Sequence, residues 1–82
     1  MTSSVNTIVT GIWCEILGVD EIPETASFYD LGGTSLEAEQ IASRISDAFA
    51  VDIRGGDILR HELLGTVIAA VTDRNPQAPQ PA

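Results

Sequence analysis

Residues 28–45, FYDLGGTSLEAEQIASRI, turn from loop to helix over a short span. Gly32 and Gly33 allow a tight backbone path into a helix start. Beyond them Ala38, Ile41, Ile45, Ala48 and Phe49 recur at helical spacing, and Glu37, Glu39, Gln40, Ser43, Arg44 and Asp47 fall largely on the other face. The spacing predicts a helix over residues 35–49. Thr34 and Glu37 fit the capping box S/T-x-x-E, with Thr34 at the N-cap and Glu37 at the third helical position. This register leaves Ser35 at the first helical position with no capping duty and its hydroxyl exposed at the helix mouth. The helix dipole and the unpaired N–H groups there favour a negative group, so a phosphate ester on Ser35 would sit well. The competing reading makes Ser35 itself the N-cap and nothing more.

Upstream, Val5, Ile8, Val9, Ile12, Trp13, Ile16 and Leu17 form the stripe of an amphipathic helix over residues 4–17. Ser3 or Ser4 can cap it, and Gly18 suits the left-handed position after its end. Residues 18–34 form a long connection, broken by Pro23, Gly32 and Gly33. It carries Val19, Ile22, Phe28, Tyr29 and Leu31, so it should pack over the helices. A connection this long in a compact domain is usually functional.

Downstream, Val51 and Ile53 return apolar groups to the core from an extended turn. Gly55-Gly56 reads as a break, residues 57–64 as a short third helix ended by Gly65, and Thr66 as the cap of a last helix with Val67, Ile68, Ala70 and Val71 inward. The fold class expected is all-α, a small four-helix bundle with a long loop between helices 1 and 2. The expected domain covers residues 1–74. Residues 75–82, NPQAPQPA, read as a disordered Pro-rich tail.

The chain has 82 residues, room for one domain and a modest core. Twelve acidic residues stand against four arginines and no lysine, a net charge of −8. Such a body repels nucleic acid and anionic membranes and attracts basic surfaces. No run of residues reaches membrane-spanning length, and no basic-then-apolar leader opens the chain. With a lone cysteine, Cys14, no internal disulfide is possible. A cytoplasmic monomer is expected. Metal ligands do not cluster, and one histidine, His61, with G-T-S-L-E in place of a nucleophile elbow argues against a Ser–His–Asp triad. No catalytic or metal-binding residue is expected.

The segment FYDLGGTSLEAEQIASRI resembles the core motif of carrier proteins, also called thiolation domains, in which an aromatic-x-x-Leu-Gly-Gly-x-Ser-Leu run precedes the second helix of an acyl carrier protein-like bundle. The resemblance runs over about residues 5–74. It implies that Ser35 receives 4′-phosphopantetheine from coenzyme A. It further implies that Leu36, Glu37, Glu39, Gln40, Ser43, Ile58 and Leu59 form the docking surface for partner enzymes. Gly32-Gly33 resembles peptidyl carriers of nonribosomal peptide synthesis more than fatty-acid carriers, and Thr34 departs from the His or Asp common at its slot. The partners implied are a phosphopantetheinyl transferase, an adenylation enzyme, and condensation or tailoring enzymes. A free-standing protein that catalyses nothing itself is expected, with an excised domain of a multi-enzyme as the alternative. An acyl carrier of polyketide or fatty-acid synthesis and a cofactor-free helical interaction module are the alternatives.

Overall fold

In the computed structural model, which describes residues 3–74, four helices follow one another: α1 (Ser3–Leu17), α2 (Ser35–Phe49), α3 (Gly55–His61) and α4 (Leu64–Arg74). The described residues form no strand beyond one isolated antiparallel bridge, Ser27 to Leu63. No helix among them is long and apolar enough to cross a membrane. Residues 75–82, expected as a tail, lie outside the described residues.

The stripe of α1 buries Val9, Ile12 and Trp13, while Ile8 is 43% exposed at the stripe's edge. Gly18 ends the helix at φ 72°, and both Gly18 N–H and Val19 N–H donate to the Cys14 carbonyl. This is the left-handed closure that a glycine permits. In α2, Ala38, Ile41, Ala42 and Ile45 are buried. Ala48, expected on the inner face, is exposed, and Phe49 beside it is half-buried. Ala50 supplies the closing left-handed residue at φ 56°. The turn that follows is pinned by Ser46, whose hydroxyl donates to the Ile53 carbonyl at 2.9 Å and accepts the Ile53 N–H at 3.3 Å. Val51 and Ile53 are buried, as their apolar side chains demand.

The third and fourth helices begin earlier than the sequence suggests. The helix α3 starts at Gly55, not Asp57, and Gly55 is buried beside the Glu39 side chain of α2. The start is held by Asp57, whose carboxylate accepts the Arg54 N–H at 3.0 Å. The helix breaks at Glu62, not at Gly65. Gly65 is the second residue of α4, and Thr66, expected as the cap, lies inside its first turn. The actual caps are distant in sequence: the carbonyls of Ala26 and Glu24 accept the N–H groups of Leu64 and Gly65 at 3.1 and 2.9 Å. They satisfy donors that a helix start cannot pair internally. Leu64, Val67 and Val71 complete the core.

Candidate functional site

The long connection leads to Ser35 by way of Phe28. Its ring is fully buried and meets Trp13 edge to face, with centroids 5.6 Å apart. The Phe28 carbonyl accepts the Gly33 N–H at 3.0 Å, and the ring lies against Gly33 itself. Gly32 turns the chain at φ 80°, a conformation that favours glycine. The two glycines therefore have separate duties, one for backbone hand and one for space. Together they deliver Thr34 to the mouth of α2.

Thr34 is the N-cap. Its hydroxyl accepts the Glu37 N–H at 3.2 Å, and the Glu37 carboxylate accepts the Thr34 N–H at 3.1 Å. Ser35 follows as the first residue of α2. It is exposed, and its hydroxyl forms no hydrogen bond among the described residues. A nucleophilic hydroxyl thus stands at the positive end of a fifteen-residue helix with no structural task.

Around it the exposed face of α2 presents Leu36, 69% exposed, with Glu39, Gln40 and Ser43. The last three line a shallow groove with Arg44 and Ile16 of α1, and Arg44 pairs with Glu15. Glu37 is half-buried, its carboxylate occupied by the cap. Ile58, expected on the docking surface, is fully buried; it lies on the inner face of α3, and a partner cannot touch it without unpacking the core. Leu59 is half-buried and can contribute only in part. Tyr29, which the sequence placed only among the packing residues of the loop, is 53% exposed, and its hydroxyl donates to the Leu59 carbonyl at 3.2 Å. An aromatic in an acidic, glycine-bounded loop is the one local signal that its side chain could lie at the surface.

Charge is distributed unevenly. Residues 18–39 hold Asp20, Glu21, Glu24, Asp30, Glu37 and Glu39 and no cation. Three of the four arginines gather instead about the start of α3. There Arg54 pairs with Asp52 at 3.0 Å, and Asp57 pairs with Arg60 at 3.2 Å and Arg74 at 3.6 Å. The Arg54 N–H, then the Arg74 and Arg60 guanidinium groups, hold the Asp57 carboxyl below the usual range, with burial acting in the opposite direction. Asp52 raises the Arg54 guanidinium in turn. Among the described residues no group of side chains could hold a metal ion.

The model of one protein family, described as the phosphopantetheine attachment site, matches residues 7–71. The chain belongs to that family. Its members carry a covalently attached phosphopantetheine and are carrier domains, not catalysts. Relatives include the phosphinothricin tripeptide synthetase PhsB of Streptomyces viridochromogenes, 36% identical over 63 residues, 77% of this chain and 5% of that protein. Nonribosomal peptide synthetase 7 of Aspergillus fumigatus is 41% identical over 66 residues, 78% of this chain and 3% of that protein. The chain therefore spans a small fraction of these relatives' length. Among solved structures, the PaxA T1-CDD/PaxB NDD docking domain complex of the Pax nonribosomal peptide synthetase superposes with a TM-score of 0.80 at 29% identity, covering 88% of this chain and 69% of that one. BlmI, a type-II acyl-carrier-protein of Streptomyces verticillus, gives 0.81 at 22% identity over 88% of this chain and 87% of that one, a likeness of fold. The four-helix bundle is thus the acyl carrier protein-like fold.

The residues present fit the family's cofactor. The group needs a hydroxyl that is accessible and not already engaged, and a setting that tolerates a phosphodiester. Ser35 meets the first need because Thr34 does the capping. The N-terminal end of α2 meets the second.

Proposed function

We propose that this chain is a peptidyl carrier of nonribosomal peptide or related natural-product biosynthesis, with Ser35 as the phosphopantetheine attachment point. The observation that carries the reading is the exposed, unengaged Ser35 hydroxyl at the start of α2, set beside a capping Thr34. When attached, the arm supplies a terminal thiol that holds a carboxylic acid as a thioester. The chain's own residues do the rest. Gly32, Gly33 and Phe28 place Ser35 at the surface, and the Thr34–Glu37 box keeps the helix start ordered while an enzyme works on it. Leu36, Glu39, Gln40 and Ser43 offer that enzyme an apolar and acidic contact face.

The partners are a phosphopantetheinyl transferase that modifies Ser35, an adenylation enzyme that loads an amino acid, and condensation or tailoring enzymes that use it. The relatives named above favour amino-acid cargo over the acyl cargo of polyketide or fatty-acid synthesis.

The test is intact mass after incubation with coenzyme A and a broad-specificity transferase, followed by peptide mapping. One phosphopantetheinyl adduct on Ser35, absent from Ser35→Ala, is expected. An adduct on another residue, or none on the wild type, would overturn the assignment. Amino-acid loading of the modified chain by an adenylation enzyme then separates the peptidyl reading from the acyl one.

A further inference from the structure

We infer that Tyr29 and Glu62 latch α3 to the segment that presents Ser35, so that the two move as one unit. Tyr29 is the positioning residue of this latch. Its ring rests edge to face on Phe28, with centroids 6.1 Å apart, while its hydroxyl reaches across to the Leu59 carbonyl. That carbonyl lies in the last turn of α3, where a helix has no partner of its own to offer. A half-exposed side chain from the loop thus closes the end of a seven-residue helix.

Glu62 lies on the other side of the latch. It joins α3 to α4 at φ 56° and ψ −39°, and the Leu63 N–H closes on the His61 carbonyl at 2.6 Å around it. This is a γ-turn of the strained hand, carried by a residue with a side chain. The turn is held from the loop at two points. The Phe28 N–H donates to the Glu62 carbonyl at 2.6 Å, and the Ser27 hydroxyl donates to the Glu62 carboxylate at 3.3 Å. The same Ser27 oxygen accepts the Tyr29 N–H at 3.2 Å.

Phe28 transmits the coupling. Its N–H grips the strained corner, its carbonyl grips Gly33, and its ring lies against Gly33. Two residues later comes Ser35. When the corner relaxes, Phe28 loses its partner and Gly33 loses its support. Strain at Glu62 favours release, and the Tyr29 hydroxyl opposes it. A partner that grips α3 would therefore act on the presentation of Ser35 without touching it. The latch does not depend on Ser35 being modified.

Amide hydrogen exchange on the unmodified full chain tests it. Tyr29→Phe keeps the ring and removes only the hydroxyl. It should speed exchange at Glu62 and Gly33 by the same factor, roughly two- to tenfold for one hydrogen bond, and leave Ile41 in α2 unchanged. Faster exchange at Glu62 with Gly33 unaffected would overturn the coupling. No change at either, or an equal rise at Ile41, would overturn the latch as a local unit. Glu62→Ala and Glu62→Gly both remove the carboxylate that Ser27 bonds, and only glycine also relieves the backbone at positive φ, so exchange at Leu63 and Gly33 should be slower in Glu62→Gly than in Glu62→Ala. Equal or faster exchange in Glu62→Gly would show that the turn stores no strain.

Discussion

The ring of Phe28 occupies the space that a side chain at Gly33 would need. A Cβ on Gly33 would come within 2.6 Å of Phe28 Cε1 and 2.5 Å of Cε2. Phe28 is fully buried against Trp13, so its ring cannot swing into solvent. Gly33→Ala should therefore destabilise the fold by about 1–3 kcal/mol, the usual range for overpacking. Chemical denaturation measures it, and a loss below ~0.5 kcal/mol would show that the ring yields freely.

Thr34→Ala should cost about 0.5–2 kcal/mol, because the Glu37 N–H loses its acceptor. Ser35→Ala should stay within about 0.5 kcal/mol of the wild type, as expected of a surface side chain with no structural contact. Paired denaturation curves decide the register. A larger loss for Ser35→Ala than for Thr34→Ala would move the cap by one residue.

Acid should remove the stabilisation that Asp57 provides. Its pKa is lowered in the folded state, chiefly by the Arg54 N–H. The unfolded chain, with an ordinary carboxyl near ~3.9, binds the proton first as pH falls. The contribution is thus complete above that value and lost as pH drops through the lower folded value. Asp57→Asn should be less stable than the wild type at neutral pH, and the gap should narrow in melts below about pH 4. A gap that stays constant to about pH 2, below the ordinary carboxyl range, would mean that the charge of Asp57 contributes nothing.

Glu39 and Leu36 should contribute differently to docking. Glu39→Gln keeps the shape packed against Gly55 and removes a charge from the exposed face. It should slow Ser35 modification several-fold at low salt, with the difference fading as salt rises. Leu36→Ala removes a large exposed apolar contact and should slow it at both low and high salt. Transferase rates over a salt series, with melting temperatures as a control, make the comparison. Unchanged rates for both variants would move the docking surface off α2.

The parts of this protein set by local sequence were readable in advance. The α1 stripe, Gly18 closing that helix, and the burial of Ala38, Ile41 and Ile45 in α2 all follow from residues within a few positions of one another, whereas the periodicity missed buried Ala42 and misplaced Ala48. The Thr34–Glu37 pair is local in the same way, which is why the presentation of Ser35 could be anticipated from a short string. The start of α4 could not. No side chain beside Leu64 caps it, and the carbonyls that do belong to Glu24 and Ala26, in another part of the chain. Gly55-Gly56 looked like a break because glycine usually is one, yet Gly55 opens α3 as a close-packing residue under Glu39. Ile58 reads as a surface residue in the sequence because the register of so short a helix is set by the packing around it, and here that packing buries it fully. Tyr29's bond to Leu59 also joins residues remote in sequence.

The loop carbonyls over the start of α4 also bear on the order of folding. Ser27 and Glu62, 35 residues apart, must meet before that corner exists, and the caps from Glu24 and Ala26 close in the same region. Neither α3 nor α4 is long enough to persist alone in water. Both therefore wait on a long-range closure whose entropy must be overcome first. The second half of the bundle is therefore the part whose formation depends most on contacts between distant residues. On a ribosome, this corner stays incomplete until α4 has emerged and found a loop synthesised long before it.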